Sequence, residues 1–208
     1  MSQVKEHNVK TSIGQIRRAD LTKAAYYVML EHGLEGTTVA RVGEKAGMSH
    51  GIVNYHFKNK MELIHAVVKY ANRLIGDNVA ELMREAKTPR TKLTAVLKGN
   101  FDPSIFTREN ARAWLMLYGQ TSPSEPFLRL QRLIYSRLQS NLLYNLKALM
   151  PKESALVASQ GLAVMMDGFW LQKAMEDREI TSELAIHLCD IYINAMLAQS
   201  PLSEESQA

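Results

Sequence analysis

TTVARVGEKAGMSHGIVNYHFKNK, residues 37–60, divides into a short helix, a glycine turn and a second short helix, closed by a lysine at the start of a third. In the first piece Val39, Val42 and Ala46 recur at i, i+3 and i+7, an apolar stripe along a helix of about two turns. That stripe must pack inward. Thr37 or Thr38 supplies the hydroxyl that caps its first free amides, and Gly47 stands where a helix ends on a positive φ. Ser49 then caps the second helix, which turns Val53 and Phe57 inward and leaves His50, Gly51, Ile52, Asn54 and Tyr55 facing out. A helix-turn-helix unit lays such a second helix in the major groove of DNA, with its first residues against base edges.

The outward residues suit that task in different ways. Ser49 is placed to donate to a phosphate or a base edge, and Asn54 fits the paired N6 and N7 groups of adenine. His50 and Ile52 are further candidates for base contact. Tyr55 and His56 are candidates for sugar and phosphate, the alternative for both being packing inside the domain. Thr37, Thr38 and Lys60 stand at helix N-termini, where backbone amides attract phosphate. Gly51 reads as a close-approach position, where a side chain would push the helix off the DNA. Charge points the same way: residues 1–60 hold nine Lys or Arg against five Asp or Glu, the remaining chain sixteen of each, so the net +4 sits on the reading segment.

With these residues in place, the stretch from Ile16 to about Asp77 resembles the DNA-binding domain of TetR-type transcriptional repressors. The likeness rests on RRADLTKAA and on EHGLEGTTVARVGEKAGMSHGIVNYHFKNKMELI: the glycine after the first helix, the paired threonines, the alanine-glycine turn, the Tyr-His-Phe end of the reading helix and the following lysine. It implies a homodimer that binds palindromic operator DNA with this domain and a small ligand with the remainder.

At 208 residues with 46% apolar content, the chain is long enough for a small and a larger domain with a substantial core. No apolar run reaches the roughly 18 residues of a membrane span, and MSQVKEHNVKTS lacks the apolar region of a secretory signal. The single cysteine, Cys189, reads as a buried structural thiol and favours a reducing cytoplasm. The six histidines form no i, i+4 metal pair, and there is no glycine-rich phosphate loop or Ser-His-Asp set. The expectation is a non-enzyme without cofactor or metal.

Helical periodicity broken by proline and turn signals covers nearly all of the rest. Asn59 and Glu62 form a capping box opening a long helix to about Ala86, ended by Thr88-Pro89. Further helices are expected over about 91–100, 107–120, from beyond Ser122–Pro126 to Leu149, 152–176 and 182–199, before a frayed tail. The fold expected is all-α, about nine helices: a three-helix helix-turn-helix domain over 15–77 and a larger ligand-binding and dimerisation domain over 78–201.

The second half clusters aromatics with acids: Phe101 and Asp102, then Trp114 and Tyr118 at i and i+4, then Asp167, Phe169 and Trp170. Aromatic faces beside a carboxylate suit a quaternary ammonium guest, although the same rings could fill a plain core. Asp167 resists that alternative, because a carboxylate in an apolar stretch costs several kcal/mol unless paired. GNFDPSIF, ARAWLMLYGQ, LRLQRLIYSRLQSNL and GLAVMMDGFWLQKA are similar to the BetI branch of the TetR family, the choline-responsive repressors of glycine betaine synthesis genes. This implies choline or a near relative as effector, with Phe101, Asp102, Trp114, Tyr118, Asp167 and Trp170 as pocket candidates. The alternative is an efflux-pump repressor sensing lipophilic cations. His50 departs from the branch's usual small polar residue, which points to a different operator. Two subunits are expected to pair through their last two helices, with small Ala158, Gly161 and Ala163 allowing close approach.

Overall fold

The computed structural model describes residues 2–118, 125–175 and 180–200, with side chains from residue 13 onward. Among the described residues there are nine helices and no strand, and no helix long and apolar enough to cross a membrane. The chain divides into two compact units, Met1–Ala71 and Asn72–Ala208.

In the first unit α1 (Ser2–Gly36) is interrupted at Gly33, whose φ of 69° is left-handed and suits a residue without Cβ. The buried Thr37 hydroxyl donates to the Gly33 carbonyl at 2.8 Å and secures that bend. Next come α2 (Val39–Ala46), α3 (His50–His56) and the first part of α4 (Lys60–Glu85). Leu21, Ala25 and Val28 of α1 are buried, as are Val42, Val53, Phe57, Ile64 and Val67. Burying each larger side chain contributes on the order of 1.5–3 kcal/mol. The capping box expected at α4 forms by half. Glu62 N–H donates to Asn59 Oδ1 at 2.9 Å, but the Glu62 carboxylate accepts from Lys58 N–H at 2.8 Å and from Arg18 at 2.9 Å.

The second unit contains the rest of α4, then α5 (Pro89–Asn100), α6 (Arg108–Tyr118), α7 (Glu125–Leu146), α8 (Lys152–Ala174) and α9 (Ser182–Gln199). The Thr88-Pro89 pair ends α4 as expected and also starts α5, two residues earlier than read from sequence. Thr88 Oγ1 accepts from Thr91 N–H, Thr91 Oγ1 accepts from Thr88 N–H, and proline fills the first turn, where no amide partner is needed. Pro126 is likewise absorbed into the first turn of α7. That helix stops at Leu146, because 147–149 already form the turn before Pro151. Expected ends at Gln120 and Glu176, and the tail from 201, lie outside the described residues. Thr181 caps α9 by accepting from Leu184 N–H at 3.1 Å.

The core of this unit joins Leu93, Leu97, Phe101, Leu142, Leu146, Leu162, Met166 and Ile193. Arg90 ties α5 to α9 through Asp190 at 3.0 Å and Asn194 at 3.2 Å. Cys189 is buried, its thiol pushed up to about 12 by burial and by Asp190. The small residues expected at a subunit contact face inward instead. Ala158 and Ala163 are buried within the chain's own core. A Cβ at Gly161 would stand 2.2 Å from the Tyr192 hydroxyl, so that glycine serves the α8–α9 approach. What α8 and α9 leave outside is larger and apolar: Val157, Val164 and Leu171 on one helix, Leu184, Leu188 and Ile191 on the other are all exposed.

Candidate functional site

The turn between α2 and α3 is built as its sequence requires. Thr38 caps α2 by accepting from Arg41 N–H at 3.3 Å. Gly47, at φ 62° and ψ 33°, ends the helix and donates to the Glu44 carbonyl at 3.1 Å, while Met48 N–H reaches Gly43 O at 2.8 Å. Ser49 caps α3, its Oγ accepting from Ile52 N–H at 3.4 Å, so the hydroxyl proton stays available to a partner outside the chain. Val53 and Phe57 anchor α3 to the core.

His50, Gly51, Asn54 and Tyr55 are exposed and Ile52 is half-buried, forming one continuous outward surface. Tyr55 is 84% exposed, which removes the alternative that its ring packs inside the domain. His56 is half-buried, its ring edge-on to Tyr55 at 5.1 Å. Burial, with Arg18 and Arg17 nearby, lowers its pKa and favours the neutral imidazole. Lys60 donates to the Glu35 carbonyl at 3.2 Å, with the Glu35 carboxylate 3.6 Å away. Thr37 lies apart from this surface, being buried with its hydroxyl committed to Gly33.

Local sequence did not single out Arg18. Its guanidinium lies 4.2 Å from the Phe57 ring centroid, donates to the His56 carbonyl and pairs with Glu62 at 2.9 Å. It fastens the end of α3 to α1. Partners 38 to 44 residues away leave no signal in a helical repeat.

In the second unit the expected aromatic and acidic residues fall into two groups. Trp114 and Tyr118 stack along α6, centroids 6.1 Å apart at 28°. Tyr118 is 61% exposed, yet its phenol is pushed up to about 12 by burial and by the negative charge of Asp167. Asp167, on the facing helix α8, is also exposed, and burial raises its carboxyl pKa. The Asp167 charge thus acts on the exposed end of the α6 ring pair.

The second group is packed core. Phe101 is fully buried and meets Phe106 and Phe169 edge-on at 5.0 and 5.9 Å. Trp170 meets Phe106 at 5.0 Å. The chain supplies its own cation here: Lys173 Nζ lies 5.4 Å from the Phe106 centroid and donates to the Ile180 carbonyl. Asp102 closes the turn after α5, its carboxylate accepting from Ser104 N–H at 2.9 Å and from the Ser104 hydroxyl. Sequence had no reason to mark Gln131, whose Nε2 is buried without a hydrogen-bond partner on α7. Helices α7 and α8 pack against each other across a short connection. Among the described residues no group of His, Cys, Asp and Glu could hold a metal.

A helix-turn-helix head followed by a larger helical unit is the layout of a DNA-binding regulator, and comparison with known proteins agrees. Residues 21–67 match the family of bacterial regulatory proteins of the tetR type, and residues 89–198 match the C-terminal domain of BetI-type transcriptional repressors. The chain belongs to the TetR family and is a transcriptional repressor of the BetI type. The HTH-type transcriptional regulator BetI of Paraburkholderia phytofirmans is 33% identical over 190 residues, covering 91% of this chain and 97% of its own. That of Yersinia pestis is 30% identical, covering 90% and 96%. These relatives are regulators, not enzymes. Among solved structures, a transcriptional regulator from Rhodococcus superposes with a TM-score of 0.76 at 22% identity, covering 89% of this chain and 98% of its own. A regulator from Saccharomonospora viridis, solved in complex with choline, superposes at 0.75 with 13% identity and the same coverage.

Proposed function

We propose that the protein is a cytoplasmic, homodimeric repressor whose grip on a palindromic operator is set by a small quaternary ammonium compound, choline or a close relative, and that it governs choline uptake or glycine betaine synthesis genes. The observation that carries the ligand reading is the Trp114–Tyr118 ring pair on α6 with the Asp167 charge acting on the Tyr118 phenol. A trimethylammonium group cannot donate ordinary hydrogen bonds, and ring faces beside a carboxylate are the chemistry that attracts it. Each ring contributes on the order of 0.5–2 kcal/mol. Phe101 and Trp170 belong to the packed core of the same unit, and Asp102 to the turn after α5.

The operator-binding domain spans 15–77 and the effector and dimerisation domain 78–201. Ser49, His50, Gly51, Ile52 and Asn54 face the bases; Thr38, Tyr55, His56 and Lys60 face the backbone, with Thr37 supporting from behind. The apolar outer faces of α8 and α9 pair two subunits into a four-helix bundle. The reading helices then stand about 34–36 Å apart, one turn of DNA. The effector acts through α4, which is continuous from the head into the ligand unit, and only to the extent that it binds the two states unequally.

Two titrations test the reading: a mobility shift on DNA flanking the gene with and without choline, and calorimetry with choline, betaine aldehyde and bulky lipophilic cations. Binding restricted to the bulky cations would replace the choline sensor with an efflux-pump repressor.

A further inference from the structure

The ring of Phe106, in the turn between α5 and α6, is where three parts of the second unit meet. It is 2% exposed and takes Phe101 and Trp170 edge-on, each at 5.0 Å. A cation of the chain itself lies over it: Lys173, three residues beyond Trp170 on α8, holds its Nζ 5.4 Å from the ring centroid. The same ammonium donates to the Ile180 carbonyl at 2.9 Å, just ahead of α9. Lysine in the last turn of a helix ordinarily serves that helix's own end carbonyls. Here Arg112 of α6 takes one of them, donating to Ala174 O at 3.4 Å, and Lys173 reaches past the helix end to the ring and to Ile180.

A ring face with a carbonyl oxygen beside it is the chemistry that receives an alkylammonium guest. We infer that this is an ammonium site which the chain fills with its own lysine, and that the quaternary ammonium effector competes with Lys173 for the face of Phe106. The inference rests on the choline reading proposed above and adds to it a built-in competitor. The exchange is favourable for both cations. A lysine ammonium is compact and strongly hydrated, so it returns to water readily, and its long stem regains rotamers. A trimethylammonium group holds water weakly and donates no hydrogen bond, so it gains more from the ring. Lys173 is half-buried, which gives the departing ammonium a route to solvent. Its departure also frees the Ile180 carbonyl, so effector binding releases the start of α9 from the end of α8. The association constant of the whole protein is then that of the open site multiplied by the fraction of molecules in which the lysine has left.

Calorimetric titration with choline chloride and tetramethylammonium chloride, on the wild type, Lys173→Met and Lys173→Arg, tests the competition. Methionine keeps an unbranched stem and removes the charge. Lys173→Met is expected to bind choline about tenfold more tightly, the gain for a site that its lysine leaves open in about a tenth of molecules. Lys173→Arg restores a cation and is expected to return the affinity toward that of the wild type. A proton resonance titration of the wild type reads the displacement itself. The ε-methylene signals of Lys173, assigned by their loss in Lys173→Arg and shifted upfield by the Phe106 ring, are expected to move toward those of a free lysine as choline saturates. Choline affinity in Lys173→Met equal to or below that of the wild type, or ε-methylene signals that saturating choline leaves in place, overturns the inference while the choline reading stands. Uptake of neither cation by any of the three proteins removes that reading and the inference with it. If Lys173→Met lacks helical circular dichroism, the resonance titration of the wild type decides alone.

Discussion

The guanidinium of Arg18 lies over the ring of Phe57, 4.2 Å from its centroid. From there it also reaches the His56 carbonyl and the Glu62 carboxylate. One side chain on α1 thus fixes the end of α3 and the start of α4, although none of its atoms needs to touch DNA. Arg18→Met keeps most of the packing and removes the charge. It should cost about 1–2 kcal/mol in thermal unfolding, the sum expected for a partly exposed cation–π contact and a charged hydrogen bond. Operator and random DNA should lose affinity together, since α3 loses its orientation. A variant with wild-type stability would show that the clamp is ornamental.

The roles proposed for Asn54 and Lys60 separate base reading from backbone holding. Asn54→Ala should cost about 1–3 kcal/mol on the operator and relax preference at one base pair, with little change on random duplex. Lys60→Ala should weaken all duplexes and lower the slope of log affinity against log salt by about one. Because Lys60 is already partly engaged by Glu35, a smaller slope change is the expected direction of error. Equal losses on both DNAs for Asn54→Ala would remove it from the reading set.

Gly51 has room around it. A Cβ there would find only Ser49 Oγ, at 3.8 Å. Alanine inside a helix is better than glycine by roughly 0.5–1 kcal/mol, so Gly51→Ala should raise the melting temperature. If α3 approaches the groove closely at this point, the same methyl should cut operator affinity roughly tenfold, about 1.4 kcal/mol. Unchanged DNA binding in a stabilised variant would place Gly51 away from the groove.

On the proposed reading, Asp167 should make ligand binding depend on pH in a definite sense. Burial holds its carboxyl pKa above the usual range, while the Tyr118 phenol, pushed up to about 12, stays protonated. A cation prefers the carboxylate, so choline affinity should be full above the raised pKa and should fall as pH drops through it. That fall begins at a higher pH than for an ordinary carboxylate near about 4. In the absence of ligand the sign reverses: a pKa raised on folding favours the fold below that pKa and penalises it above. Asp167→Asn should therefore raise thermal stability at neutral pH, flatten the pH profile of choline binding, and weaken binding about tenfold or more. Titration calorimetry across pH, beside thermal melts, reads both signs.

The reading head was legible from one stretch of sequence because its determinants are local. The stripe of Val39, Val42 and Ala46, the left-handed Gly47, the cap at Ser49 and the inward Val53 and Phe57 all act within about one helical turn, where chain geometry alone dictates which residues share a face. The helix count was legible for the same reason. Helix ends were less so: Thr88-Pro89 and Pro126 read as breaks, yet proline also fits the first turn of a helix, and those helices start around them.

Only tertiary packing sorted the aromatic and acidic residues of the second unit. Sequence offered Phe101, Asp102, Trp114, Tyr118, Asp167 and Trp170 as one set. The fold buries Phe101, gives Asp102 to a turn, sets Trp170 edge-on against Phe106, and brings Tyr118 within the field of Asp167. It likewise turned Ala158 and Ala163 inward and left Val157 and Val164 outside. Periodicity says which residues lie on one stripe of a helix, but which stripe meets a neighbouring helix is decided by the other helices present. Local spacing determined the DNA-reading device; contacts between segments dozens of residues apart decided which aromatic and acidic side chains lie in the core and which stay outside.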